Sequence, residues 1–217
     1  MRVLRIDPHN PSGPAIREAA DALSQGAIVA FPTDTVYGLA VDPRHARAVD
    51  RLYAVKGRAF DQPLPLIAAD EAQAATHAGE LSDLARALAA EFWPGPLTLI
   101  ISAHADLCAR VHASTGRVAV RVPAHPTARA LARGAGYPIT ATSANRSGAT
   151  PASTGDQVIA ALDDRVDLLL DGGATSGGMP STIVDATGAT PRLVRVGVVP
   201  WERVLEFMRC PPPTGVS

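Results

Sequence analysis

Short apolar runs and amphipathic segments take turns along this chain of 217 residues, and that alternation restricts the fold more than any other feature. Val3–Ile6, Ala27–Phe31, Leu64–Ala68, Leu97–Ser102, Arg117–Val122 and Pro138–Ala141 read as strands, as do Leu168–Leu170, Thr182–Asp185 and Arg192–Val196. Between them Ile16, Ala19, Ala20 and Leu23 recur on one helical face, and Ala48, Leu52 and Val55 on another. Start and stop signals bracket the helices. Ser12 precedes Pro14, Gly26 follows Leu23, and Ser82 caps a helix through Phe92. Pro126 opens a helix to Arg133, another covers Thr154–Leu162, and Pro200 opens a last one to Met208. Strands alternating with helices predict an α/β fold. Three strands near the C-terminus with little helix between them predict a mixed rather than purely parallel sheet, flanked by helices. No repeat or low-complexity linker intervenes, so residues 1–210 are expected to form a single domain, with 211–217 a disordered tail.

Charge and motif content narrow the chemistry. A formal net charge of −1 argues against a protein dominated by non-specific nucleic-acid binding. Cys108 and Cys210 lie far apart and no Cys-x-x-Cys pair occurs, so a reducing, cytoplasmic setting is expected. Residues 1–14 lack an apolar signal core, and no apolar run reaches the ~18 residues of a membrane span. The phosphate-loop, dinucleotide-binding and nucleophile-elbow motifs are absent. The histidines show no i, i+4 pairing and no metal site is expected. The Asp163–Asp164 pair reads as solvated.

What remains is a set of polar loops. Thr33, Thr35 and Tyr37 alternate, so extended backbone would turn three hydroxyls to one side; a turn in which they satisfy local backbone fits equally. Basic residues number 20, of which only Lys56 is a lysine. Lys56-Gly57-Arg58 offers a point charge and a planar fork to phosphate oxygens, or else a basic end to the preceding helix. Ser143 and Asn145 sit at i and i+2, suited to phosphate or ribose or to a simple Asx turn. Gly172–Thr182 is glycine-rich, a lid or a plain surface loop. Strand-end loops of open α/β sheets bind ligands. With Arg121 at a strand end, these segments point to a polyanionic ligand such as a nucleoside triphosphate.

The motifs in order make a sharper signal. F-P-T-D-T-V-Y-G-L (31–39), Y-A-V-K-G-R (53–58), W-P-G-P-L-T-L-I (93–100), V-A-V-R-V-P (118–123), T-S-A-N-R-S-G (142–148), S-T-I-V-D (181–185) and R-L-V-R-V-G (192–197) together resemble the YrdC-domain family, the threonylcarbamoyl-AMP synthases of tRNA modification. The likeness runs from about Ala15 to Val204. It implies a twisted α/β sheet with a concave, positively charged cleft. It also implies formation of threonylcarbamoyl-adenylate and pyrophosphate from L-threonine, bicarbonate (or CO2) and ATP, with Mg²⁺ held mainly by the phosphates. A tRNA threonylcarbamoyl-transferase complex would then act at adenosine 37 of tRNAs reading ANN codons, with weak tRNA contact by this chain conceivable. By the same resemblance Lys56 and Arg58 are the catalytic pair. Lys56, Arg58, Thr142, Ser143, Asn145 and Arg195 would hold ATP. Thr35, Arg121 and Ser181 would hold threonine, with Thr33 and Tyr37 as further candidates.

Two departures stand out. Some members carry a histidine where this chain has Ile67, so the threonine pocket is expected to differ in detail. Longer members append a second domain, so this chain resembles the short form. The rival readings are an RNA-binding YrdC-like module, a paralogue without this activity, and a carbamoyl-adenylate enzyme of hydrogenase maturation; the last comes in a much longer chain with an acylphosphatase domain and zinc-finger motifs.

Overall fold

A computed structural model describes residues 1–11, 13–162 and 165–209. The expected cap at Ser12, the Asp163–Asp164 pair, Cys210 and the tail at 211–217 lie outside the described residues. In chain order the elements are β1 (Arg2–Arg5), α1 (Gly13–Ser24), β2 (Val29–Phe31), β3 (Gly38–Ala40), α2 (Ala46–Lys56), β4 (Leu66–Ile67), α3 (Glu71–Gln73) running into a π-helical turn (Ala74–Ala78), α4 (Asp83–Phe92), β5 (Leu97–Ser102), β6 (Arg117–Arg121), α5 (Pro126–Gly134), β7 (Ile139–Thr140), β8 (Thr142–Ser143), α6 (Gly155–Leu162), β9 (Leu168–Asp171), β10 (Thr182–Asp185), β11 (Arg192–Arg195) and α7 (Trp201–Arg209). Among them, no helix is long and apolar enough to cross a membrane.

The architecture is α/β with mixed pairing, as the alternation predicts, and hydrogen bonding divides the strands between two sheets. One has the order β1-β9-β2-β3-β8 and the other β11-β10-β5-β6-β4-β7. Both contain parallel and antiparallel neighbours: β1 and β2 run parallel to β9, while β2 and β3 are antiparallel. The chain crosses between the sheets after β3, β7 and β9, most directly after β7. β7 pairs with β4 in the second sheet, and after Ala141 β8 pairs with β3 in the first. Thr140 fastens this seam, its Oγ1 accepting from Val41 N at 2.9 Å and its own N–H donating to Val41 O at 3.1 Å.

The apolar faces explain the packing. Ile16, Ala19, Ala20 and Leu23 of α1 are buried with Ala128, Leu131 and Ala132 of α5 against Val29, Phe31, Leu168 and Leu170. The alanines bring the two helices close: a methyl added at Gly134 would sit 3.3 Å from both Ala20 Cβ and Ile16 Cγ2. A larger core gathers Leu52, Leu64, Leu88, Leu97, Leu99, Val120, Val158 and Leu169. Ser82 caps α4 as expected, accepting from Ala85 N at 3.2 Å. The polar stretches 33–39 and 142–148 had been expected as loops throughout; each instead contributes a short strand, β3 and β8, and the two pair with each other.

Candidate active site

A cavity of about 460 Å³ opens at the seam between the sheets. That size falls within the ~300–1,000 Å³ usual for small-molecule sites. Its wall takes Thr33, Thr35, Tyr37 and Gly38 from the β2–β3 connection, Thr142 and Ser143 from β8, and Arg58 from beyond α2. Arg121 enters at the end of β6, Ser181 just before β10, and Arg195 at the end of β11. The placement expected from sequence is therefore only partly right. The cavity lies at a seam between two sheets rather than at the strand ends of one, and the Lys56–Arg58 segment follows α2, the preceding helix read from the sequence. An apolar floor completes the wall, including Leu66, Ile67, Ala119 and Ile183.

Arg58, Arg121 and Arg195 are the charged side chains of this lining, and it contains no aspartate or glutamate. Each guanidinium is braced. Arg121 is 8% exposed; its Nε donates to Gly95 O at 2.8 Å and its Nη2 bonds the Asp34 carboxylate. Arg195 donates from Nη2 to Ser181 O at 2.8 Å and lies 3.2 Å from Ser181 Oγ. Ser181 Oγ in turn lies 2.8 Å from Thr98 Oγ1. Arg58 donates to Pro63 O at 2.7 Å, and its buried Nε has no partner among the described residues. Burial pushes all three below the ordinary arginine value; Asp34 opposes this at Arg121, and the Arg121 charge adds to it at Arg195. Arginine keeps its charge regardless, so three partly desolvated cations face one space.

Lys56 is placed differently. It is 3% exposed and is not part of the cavity wall. Gly57, at φ 58°, ψ 38°, ends α2 in the left-handed region, with Gly57 N bonded to Ala54 O and Arg58 N to Tyr53 O. This turn is the glycine-terminated helix end, so the backbone is not extended and the two cations of the motif do not share a side. Arg58 leaves toward the cavity while Lys56 turns inward. Its Nζ donates to Ser143 O at 2.6 Å and Asn145 Oδ1 at 2.9 Å, with Ser143 Oγ at 3.4 Å. Asn145, 5% exposed, also lies outside the wall; its amide nitrogen donates to the Arg146 and Ala149 carbonyls. The two motifs K-x-R and S-x-N thus meet directly, as one buried knot behind β8. Burial, and then the nearby Arg58 charge, lower Lys56 to about 8.

The hydroxyls divide similarly. Thr33 Oγ1 donates to Val36 O at 2.6 Å and accepts from Thr35 N, which is the local turn; Thr35 Oγ1 is 3.2 Å from it. Tyr37 is wholly buried and its phenol, pushed up by that burial, bonds loop 172–181 rather than open space. Sequence reasoning did not find the Asp34 partner of Arg121 or the Thr98 partner of Ser181. Their positions inside F-P-T-D-T-V-Y-G-L and W-P-G-P-L-T-L-I were the available signal.

Fold and site together define a mixed α/β domain whose cavity combines arginines, hydroxyls and an apolar floor. The chain belongs to the Sua5/YciO/YrdC family, whose model, described as "Telomere recombination", matches residues 21–197. It is 40% identical over 199 residues to the threonylcarbamoyl-AMP synthase of Bacillus subtilis, covering 91% of this chain and 58% of that protein. Among solved structures it resembles Sua5 of Pyrococcus abyssi in complex with L-threonine, with TM-score 0.89, 35% identity, and 95% of this chain and 60% of that one covered. It also resembles Escherichia coli YciO, with TM-score 0.84, 26% identity, and 94% and 100% covered. The chain spans a little over half the length of the B. subtilis and P. abyssi synthases.

Proposed function

We propose that this chain is an L-threonylcarbamoyladenylate synthase, a nucleotidyltransferase that converts L-threonine, bicarbonate or CO2 and ATP to threonylcarbamoyl-AMP and pyrophosphate. The observation that carries the reading is the carboxylate-free cavity in which Arg58, Arg121 and Arg195 converge on hydroxyls. Relatives named for this reaction support it, as does a related structure holding threonine.

In this reading the threonine amine adds to CO2 to give a carbamate. A carbamate oxygen attacks the α-phosphorus of ATP, and the bond to the β-phosphate oxygen breaks to release pyrophosphate. No side-chain nucleophile takes part, so the protein contributes positioning and charge neutralisation. Arg121, Thr35 and Ser181 take the threonine carboxylate and its neighbours. Arg58, Thr142, Ser143 and Arg195 take the nucleotide. Arg195 bonds Ser181, so the two subsites meet where the carbamate and the α-phosphate must meet. Asn145 and Lys56 act from behind, holding Ser143 in the wall. The described residues include no cluster of three His, Cys, Asp or Glu side chains placed to hold an ion; Mg²⁺ would be held mainly by the phosphates of ATP and would supply further charge neutralisation there. The product passes to a transferase complex acting on tRNA, in the cytoplasm.

The test is pyrophosphate release from ATP with threonine and bicarbonate omitted in turn. Dependence on both supports the reading, and release that ignores both overturns it. Steeply salt-dependent tRNA binding without threonine-dependent turnover would favour an RNA-binding module instead.

A further inference from the structure

Tyr37 has no obvious task in that chemistry, yet it sits where three cavity loops meet. Its backbone N–H donates to Ala152 O and its carbonyl accepts from Ala144 N, both at 2.8 Å, which ties it to the segment after β8. Its phenol reaches the glycine-rich loop after β9. The hydroxyl donates to Gly173 O at 2.7 Å, accepts from Gly172 N at 3.2 Å, and lies 3.3 Å from Asp171 Oδ1. Asp171 Oδ1 also accepts from Gly173 N at 3.0 Å. From this anchored end the loop crosses to the cavity, where Gly178, Pro180 and Ser181 join the wall. Between the ends it is fastened on both sides: Ser176 Oγ donates to Asp34 O at 2.7 Å, and Thr175 donates from N and Oγ1 to Ser153 O. Gly173, Gly177 and Gly178, all at positive φ, flank those fastenings. Left-handed glycines permit the chain to swing there, and Ala174 and Ser176 are exposed.

We propose that Tyr37 is a positioning residue whose hydroxyl, rather than touching substrate, holds segment 172–178 closed as a lid at the rim of the cavity. The lid has an open and a latched state, and ligands bind the latched one. Loss of the phenol hydroxyl lowers the latched fraction, and apparent affinity falls in proportion. Saturating substrate restores the latched state, so kcat is spared. That kinetic consequence rests on the proposed synthase activity; the latch itself does not.

The experiment compares Tyr37→Phe with wild type in two measurements. Hydrogen exchange on the ligand-free protein should quicken at least about 10-fold at Gly172, Gly173 and Thr175 while Leu169 and Leu170 in β9 keep their protection. In pyrophosphate release KM should rise several-fold with kcat held within about two-fold. Ser176→Ala, an exposed position that leaves the core intact, should show the same KM shift and quicken Thr175. Tyr53→Phe, which removes the other buried phenol bonded to Gln62 O and Arg110 O, should leave exchange at 172–175 unchanged. Unchanged exchange in Tyr37→Phe, or equal quickening in Tyr53→Phe, overturns the latch. A fall in kcat with KM unchanged overturns the positioning role and puts the phenol in the chemistry. Exchange needs no turnover, so the latch is tested even if the proposed activity fails.

Discussion

Lys56 and the three cavity arginines carry the same formal charge in opposite circumstances. The lysine sits in a knot of Ser143 and Asn145 with its donors directed at protein acceptors. The arginines bond the protein along one edge, to Pro63 O, Gly95 O, Asp34 and Ser181 O, and each is also part of the cavity lining. A guanidinium has five donors in a rigid fork and can be braced and still bind; an ammonium engaged by three acceptors has little left to offer. The lysine's donors are taken up within the protein, whereas the arginines keep donors that, on the proposed function, a ligand would meet.

Substitutions that separate stability from binding can break this contrast. Arg121→Met has the largest expected effect, because Arg121 belongs to both regimes. It leaves the Asp34 carboxylate unpaired at a cost of about 3–5 kcal/mol in stability, and it lowers threonine-dependent turnover by about 10²–10³-fold. Chemical denaturation and steady-state kinetics read the two. Lys56→Met comes next. It strands the Ser143 carbonyl and Asn145 Oδ1, costing about 1–3 kcal/mol of stability, while ATP affinity by calorimetry stays within about 3-fold on the knot account. Arg58→Met should do the reverse, changing stability by less than about 1 kcal/mol and weakening ATP by about 10–100-fold, or ~1.4–2.7 kcal/mol. Similar profiles for the Lys56 and Arg58 variants would erase the distinction.

The remaining effect is on pH dependence. Lys56 is lowered to about 8 in the folded chain from an ordinary 10.5. Between those values the unfolded chain binds the extra proton, so this residue's contribution to stability rises with pH across that window. Denaturation at pH 7 and 10 should show a rise in wild type that is missing in Lys56→Met.

Much of the fold was legible because it is local. The helical faces at Ile16–Leu23 and Ala48–Val55, the Ser82 cap and the long strands β5 and β6 are written in spacing and capping chemistry, and the structure has them. What escaped depends on register between distant segments. β3 and β8 are too short to show a period and exist because they pair with each other. The π-helical turn at Ala74–Ala78 has no marking in its alanines. In the site, the motifs were visible, and nine of the expected residues line the cavity. The inward turn of Lys56 was not visible, because it follows from how the turn at Gly57 points the chain toward residues 87 and 89 positions away. Gly197 shows the same limit. It reads as an ordinary end to R-L-V-R-V-G, yet a methyl there would lie 2.3 Å from Pro180 O, so glycine is what lets the end of β11 close against Ser181.

Because Lys56 is the only lysine in the chain, its ammonium nitrogen can be observed alone by lysine-specific ¹⁵N labelling, at a pH below the value of about 8 where it stays protonated. The decisive measurement is its coupling through the hydrogen bond, without ligand and with saturating MgATP. The division between structural lysine and ligand-facing arginines predicts coupling to the Ser143 carbonyl carbon in both states. Loss of that coupling on ATP binding, with coupling to ³¹P in its place, would put Lys56 on the phosphates and contradict the account.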